Sequence, residues 1–174
     1  MGCGLQMDFK RSVSLILQFE GGYVFDSQDP GGETKYGISK RSHPYLDIKN
    51  LTEPEAIELY KAEYWDPLKP LLLPRLIRLC LFDAAVNQGV NRAIKFLQEA
   101  IGTEQDGIVG PLTIKASSLP DSFIILESMV KLRLNHYAKL PHWSRFGHGW
   151  TRRLITVLFE SIKANHETQA KRII

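Results

Sequence analysis

The chain has 174 residues, of which 44% are hydrophobic and 24% are charged, and its formal net charge is +3. This length and apolar content suit one globular domain with a substantial hydrophobic core. No apolar run approaches the roughly 18 residues of a membrane span. A disulfide scaffold is also excluded, because Cys3 and Cys80 are the only cysteines and Cys80 reads as a small buried hydrophobe.

Helix signals dominate the chain. Phe9, Val13, Ile16 and Leu17 recur at three- and four-residue steps and predict a first helix that ends at Glu20. The loop over residues 23–39 suits at most a small β-hairpin. Further helices are predicted over residues 52–65, 74–89, 91–101, 121–140 and 151–164, with a short one that begins at Gly110-Pro111.

Glu20 continues the apolar face of the first predicted helix, at i+3 from Leu17 and i+4 from Ile16. Partial desolvation favours the neutral form of a carboxyl, which is the form that a general acid needs. Five of the 13 glycines fall between residues 21 and 37, and Asp29 begins the turn Asp-Pro-Gly-Gly. The loop can therefore fold back so that Asp29 faces Glu20 across a groove.

Paired carboxyls are the groups that glycoside hydrolysis requires. One protonates the leaving oxygen, and the other activates water or stabilises the oxocarbenium ion. Taken alone, Glu20 and Asp29 fit equally well a helix end followed by a loop with solvated acids. The spacing of the two acids leaves both interpretations open.

Four motifs follow one another along the chain. They are Glu20-Gly-Gly-Tyr with Asp29-Pro-Gly-Gly-Glu-Thr34-Lys-Tyr-Gly-Ile, then Leu81-Phe-Asp-Ala-Ala-Val-Asn-Gln-Gly89, then Asp106-Gly-Ile-Val-Gly-Pro-Leu-Thr113, and last Phe146-Gly-His-Gly-Trp-Thr-Arg-Arg153. Together they resemble glycoside hydrolase family 108, whose members are N-acetylmuramidases, typically phage endolysins. The resemblance covers about residues 9–153.

The resemblance implies roles for three residues. Glu20 is expected to be the general acid and Asp29 the second carboxylate. Thr34 is similar to a threonine of phage-type lysozymes, in which Asp and Thr hold the attacking water and the bond is cleaved with inversion. The stereochemical outcome stays open, because carboxyl groups about 5 Å apart favour retention instead.

Four further residues are candidates for sugar binding. Tyr23 and Tyr36 flank the acidic loop and offer flat apolar faces with polar tips, although a place in the core explains Tyr23 equally. Asn87 and Gln88 end an apolar helix and suit hydrogen bonds to sugar hydroxyls or N-acetyl groups, although an ordinary helix end explains them equally. Asp83 suits an ion pair with an arginine inside the fold better than it suits catalysis.

The predicted fold is all-α and lysozyme-like, with two lobes and possible β structure only near residues 23–39. A flexible leader is expected over residues 1–7, with Met7 as an alternative start, and a single catalytic domain over residues 8–174. Within that domain we expect a glycoside hydrolase region at 8–70, a peptidoglycan-binding-type region at 75–153 and a basic amphipathic C-terminal helix at 154–174.

Charge is unevenly spread along the chain. Residues 1–66 hold 7 Lys/Arg against 11 Asp/Glu, whereas residues 67–174 hold 15 against 8. A basic second half suits an anionic partner such as the cell wall, and no nucleic-acid motif is recognised. Peptidoglycan is the expected partner of a monomeric chain. Weak association of the C-terminal helix with anionic membrane or lipopolysaccharide is an alternative to plain core packing.

No cofactor and no metal are expected, because the five histidines show no His-Glu-x-x-His pattern and the cysteines no zinc spacing. No signal peptide is recognised. By its resemblance to endolysins, the protein is expected to stay in the cytoplasm of the bacterial host until it is released to the wall.

The sequence thus predicts a lysozyme-type N-acetylmuramidase that cleaves the β-1,4 bond between N-acetylmuramic acid and N-acetylglucosamine in peptidoglycan. A lytic transglycosylase is one alternative, which the presence of Asp29 disfavours. A non-catalytic wall-binding or secretion-accessory protein is another, which the complete set of Glu20, Asp29 and Thr34 disfavours.

Overall fold

The computed structural model describes the backbone of residues 3–25 and 32–173, and the side-chain environments of residues 8–25 and 32–167. Asp29, a predicted catalytic residue, lies outside these ranges. The described backbone is mainly helical with one small sheet, which confirms the predicted fold class.

Seven α-helices lie within the described ranges. They are α1 (Cys3–Glu20), α2 (Glu53–Tyr60), α3 (Arg75–Gln88), α4 (Val90–Ala100), α5 (Pro111–Ser117), α6 (Ser122–Ala138) and α7 (Trp143–Ile173). A π-helical turn (Lys61–Trp65) and two 3-10 turns (Asp66–Leu68 and Pro70–Leu72) connect α2 to α3. None of the helices in the described part of the chain is both long and apolar enough to cross a membrane.

The loop after α1 forms a three-stranded antiparallel sheet of β1 (Val24–Phe25), β2 (Glu33–Lys35) and β3 (Ile38–Ser39) in that order. Thr34 is central, since it pairs with Val24 on one side and Ser39 on the other. The hairpin expected within residues 23–39 is therefore present and carries a third strand.

The chain divides into two compact units, Met1–Glu63 and Tyr64–Ile174. The first unit contains α1, the sheet and α2. Most of the apolar stripe of α1 is buried as its spacing predicts, with Leu17 partly exposed, and Ile38 of β3 and Tyr60 of α2 are buried as well. Buried α1 residues include Phe9, Val13 and Ile16.

The second unit is built around α3, which packs against α4, α6 and α7. Because helices surround α3, nearly all of its side chains from Leu76 to Ala85 are buried. Cys80 is a buried free thiol, as expected of a small hydrophobe. Burial raises the pKa of that thiol, so it stays neutral.

Two helices begin earlier than the sequence suggests. The backbone of α1 is helical from Cys3, inside the stretch 1–7 that was expected to be a leader, because Leu5, Gln6 and Met7 are good helix formers. The last helix, α7, begins at Trp143 instead of Thr151.

Aromatic packing explains the early start of α7, across two glycines that would otherwise weaken a helix. The ring of Trp143 lies against Gly147 so closely that an added Cβ would come within 2.6 Å of it. The same cluster stacks Trp150 on Tyr137, with ring centroids 5.3 Å apart. Tertiary packing therefore overrides the low helix propensity of this stretch.

Candidate active site

Glu20 is the last residue of α1, and its side chain is partly exposed. Gly21 follows with a φ of +73°, a conformation that ends a helix and that glycine adopts without strain. The carboxyl is thus carried by a rigid helix whose apolar stripe is anchored in the core. This is the placement that the spacing of Ile16, Leu17 and Glu20 predicts.

The turn between β2 and β3 consists of Tyr36 and Gly37, with φ values of 53° and +74°. Two consecutive residues with positive φ match a type I′ turn, whose twist suits a tight hairpin. Positive φ is unusual for tyrosine and requires support from the surroundings. That support comes from α2, because the buried Tyr60 hydroxyl donates a 2.8 Å hydrogen bond to the Tyr36 carbonyl.

Gly37 brings the carboxyl of Glu20 and the hydroxyl of Tyr60 to the same turn. A Cβ at Gly37 would lie 2.8 Å from Glu20 Oε2 and 2.7 Å from Tyr60 Oη. The Glu20 carboxyl and the Tyr60 hydroxyl therefore lie against the backbone of Gly37, in space that the side chain of any larger residue would occupy. Three elements, α1, the β2–β3 turn and α2, meet at this carboxyl.

Thr34 and Asp29 complete the predicted catalytic set, and both belong to the first unit. Thr34 is half-buried in the middle strand and lies on the face shared with Val24 and Ser39. Asp29 belongs to the connection between β1 and β2, outside the described residues. Phe25 and Glu33 are paired, so this connection starts and ends at neighbouring positions of the sheet.

The two tyrosines proposed for sugar binding differ in their contacts. Tyr23 is 41% exposed, and its hydroxyl donates to Glu33 Oε1 over 3.3 Å. Partial desolvation and the nearby Glu33 carboxylate raise the pKa of Tyr23, so it remains a protonated donor. Tyr36 is partly exposed, with Lys35 Nζ 5.6 Å from its ring centroid.

Asn87 and Gln88 lie in the second unit, at the end of α3. The Asn87 amide donates to the Asp83 carbonyl over 3.1 Å, which is an ordinary helix-end contact, and the residue is exposed. Gln88 Oε1 accepts from Arg133 Nε over 3.0 Å. The amide oxygen of Gln88 is therefore held by the protein, whereas Asn87 is exposed.

Asp83 forms the expected ion pair, and it does so with two arginines. Its fully buried carboxylate accepts from Arg133 Nη2 at 2.6 Å and from Arg153 Nε at 2.8 Å. Burial disfavours the charged form of Arg133, but Asp83, Cys80 and Tyr137 together outweigh burial and raise the pKa of Arg133. Asp83 thus ties α3 to α6 and α7.

The motif beginning at Asp106 is built around a buried glutamine. Gln98 donates to Asp106 Oδ1 at 2.6 Å and accepts from the Gly107 amide at 2.9 Å. The hydrogen bonds that Asp106 accepts from the Gln98 side chain and the Ile108 amide lower its pKa. Gly107 has a φ of +77°, and a Cβ there would collide with Asn91. The residues of this motif therefore shape the loop between α4 and α5.

Sequence reasoning missed Tyr60, which supports the turn beneath Glu20. The sequence indicates Tyr60 only indirectly. A tight turn at Tyr36-Gly37 requires positive φ, and a tyrosine in that conformation needs a supporting contact from another part of the chain. Within the described residues, no group of three or more His, Cys, Asp or Glu side chains is placed to hold a metal ion.

Comparison with known proteins assigns a family to this arrangement. The model of Glycosyl hydrolase 108 matches residues 13–89, and that of a Predicted Peptidoglycan domain matches residues 92–155. Among curated proteins the comparison gives no match. A solved structure described as Brucella abortus SagA is 30% identical, with a TM-score of 0.82, and the alignment covers 91% of this chain and 95% of that one. The chain therefore belongs to glycoside hydrolase family 108, as its motifs indicated, and is a glycoside hydrolase that acts on peptidoglycan.

Proposed function

We propose that the protein is a lysozyme-type N-acetylmuramidase, which hydrolyses the β-1,4 bond between N-acetylmuramic acid and N-acetylglucosamine. The observation that carries the proposal is the placement of the Glu20 carboxyl against Gly37, where the side chain is partly exposed. The end of a packed helix and a hydrogen-bonded turn both restrict where this acid can lie. Fixed position is what a proton donor to a glycosidic oxygen needs.

In the proposed reaction Glu20 donates its proton to the glycosidic oxygen as the bond to the anomeric carbon breaks. Asp29 activates the water or stabilises the developing oxocarbenium ion. Thr34 positions the water through its hydroxyl. Water adds to the anomeric carbon and loses its proton, and both products end in ordinary hydroxyl groups.

Substrate binding is assigned to the side chains that offer free surface. Tyr23 and Tyr36 present exposed ring area next to the acidic loop and suit packing against a sugar ring. Asn87 is exposed and suits a hydrogen bond to a hydroxyl or N-acetyl group. Gln88 contributes indirectly, because its amide oxygen is bound by Arg133.

The biological role that fits this activity is that of an endolysin. In this role a monomeric protein waits in the host cytoplasm until it is released to the wall. A single catalytic domain over residues 8–174, with its peptidoglycan-binding-type region at 75–153, would act on the wall. The motifs of the family support this proposal.

Substitution of Glu20 by glutamine tests the assignment. Glu20→Gln keeps the size of the side chain but removes the transferable proton. General acid catalysis usually contributes about 10²- to 10⁴-fold to the rate. Release of reducing sugar ends from purified peptidoglycan should therefore fall at least about 100-fold. Circular dichroism and thermal unfolding should match the wild type. If the folded variant kept a tenth of the wild-type rate, Glu20 would not be the general acid.

A further inference from the structure

The last helix, α7, has two faces of different character. Leu154, Val157 and Ser161 are buried, with exposed fractions of 2%, 0% and 2%, on the side that packs within the second unit. The other side carries exposed residues at three- and four-residue steps. We name these residues the outer face of α7: His148, Arg152, Ile155, Phe159 and Lys163.

Two large apolar side chains lie in the middle of this outer face. Phe159 is 66% exposed and Ile155 is 48% exposed. They are one turn apart and form a continuous apolar patch on the helix surface. A half-exposed isoleucine and a largely exposed phenylalanine in adjacent turns are typical of a surface that binds an apolar partner.

Basic residues flank this patch on both sides. Arg152 lies less than one turn before Ile155, and Lys163 lies about one turn after Phe159. Lys163 Nζ is 3.6 Å from Glu160 Oε1, an exposed pair of little strength that leaves the ammonium accessible. Glu160 itself lies about 100° around the helix from Phe159. Arg145, packed on the Phe146 ring at 4.9 Å, extends the basic side toward the start of α7.

We propose that the outer face of α7 binds the surface of an anionic lipid bilayer. In this arrangement Phe159 and Ile155 enter the boundary between headgroups and acyl chains, and Arg152 and Lys163 contact the headgroup phosphates. The arrangement of charges favours this occupant over the two others. The outer face of α7 in a second copy would bring like charges together, and a phosphate-bearing polymer offers no apolar layer for Phe159.

The expected binding is weak and reversible. A basic residue near an anionic membrane surface contributes about 1 kcal/mol, which is about fivefold in affinity. Loss of Arg152 and Lys163 together should therefore weaken binding about 30-fold. Loss of the Phe159 ring should weaken it about tenfold, because roughly half of a buried phenylalanine is withdrawn from the membrane.

Co-sedimentation of the full chain with lipid vesicles tests the proposal. The probe is a vesicle of equal parts phosphatidylcholine and phosphatidylglycerol, with pure phosphatidylcholine as the neutral comparison. The variants are Phe159→Ser and the pair Arg152→Gln with Lys163→Gln. The matched control removes two exposed lysines of the first unit, Lys10→Gln with Lys49→Gln, and so changes the net charge equally.

Wild type and control pair should bind the anionic vesicles equally, and both outer-face variants should lose binding. Hydrolysis of purified, lipid-free peptidoglycan should be unchanged in all of them, which shows that they are folded and that the membrane contact is separate from catalysis. Equal loss in the control pair would overturn the proposal, since net charge alone would then account for binding. Unchanged binding by Phe159→Ser would overturn it too. Binding would then depend on charge alone, which suits a phosphate-bearing polymer instead of a bilayer.

Discussion

Replacement of Gly37 by alanine tests how Glu20, the proposed catalytic acid, is held. The added methyl would lie 2.8 Å from Glu20 Oε2 and 2.9 Å from Glu20 Cγ, whereas ordinary van der Waals contact begins at 3.4 Å. The carboxyl must therefore move by roughly half an ångström or more. Misplacement of a reacting group by about 1 Å can cost about 10²-fold in rate. We expect kcat/KM on purified peptidoglycan to fall about 10- to 100-fold.

The same substitution also strains the backbone. An alanine at a φ of +74° costs about 1–2 kcal/mol, which for a chain of this size lowers the melting temperature by about 2–8 °C. Gly102→Ala is the matched control, because its φ is +71° and a Cβ there meets no atom within 4 Å. It should lose only the stability that backbone strain costs, without the contacts to Glu20 and Tyr60, and keep its activity. If Gly37→Ala is destabilised yet hydrolyses peptidoglycan at the wild-type rate, the contact with Gly37 does not position Glu20 for catalysis.

Three more substitutions test the surroundings of the site. Tyr60→Phe removes the donor to the Tyr36 carbonyl, so kcat should fall more than KM rises. The free energy of unfolding should fall by about 1–2 kcal/mol. An unchanged kcat would show that this turn does not contribute to catalysis. Asp83→Asn leaves Arg133 uncompensated in the core, so urea unfolding should show a loss of about 3–5 kcal/mol, and a loss below 1 kcal/mol would contradict the network. Because the pKa of Asp106 is lowered in the folded state, its carboxylate stabilises the fold above its unfolded-state pKa, and this stabilisation is lost as pH falls through the folded-state pKa. Asp106→Asn should therefore flatten the acid side of a plot of melting temperature against pH. Parallel plots for wild type and variant would refute this.

The position of Glu20 could be predicted because it depends on local periodicity. Three residues of one helical face fix where the next side chain points, and Gly21 ends the helix. The support beneath Glu20 could not be predicted in the same way. Tyr60 acts through the backbone carbonyl of Tyr36, 24 residues away in the chain. The spacing of the two tyrosines does not predict this hydrogen bond.

The ion pair of Asp83 shows a similar limit. An acid inside an apolar helix must find a positive partner, so the type of contact follows from the sequence. Its partners follow only from the packing of α6 and α7 on α3, since Arg133 and Arg153 are 50 and 70 residues away. The start of α7 was missed for a related reason, because contacts of Trp143 with Gly147 outweigh local propensity.

Analysis of the product ends tests the proposed muramidase activity most directly. Purified peptidoglycan would be digested with the wild-type protein and with Glu20→Gln, and the fragments analysed by mass spectrometry. A muramidase that uses Glu20 as its acid should give fragments with reducing N-acetylmuramic acid ends in the wild-type digest and none in the variant digest. Fragments with 1,6-anhydro ends would contradict hydrolysis and indicate a lytic transglycosylase, and intact peptidoglycan after incubation with folded wild type would contradict catalysis altogether.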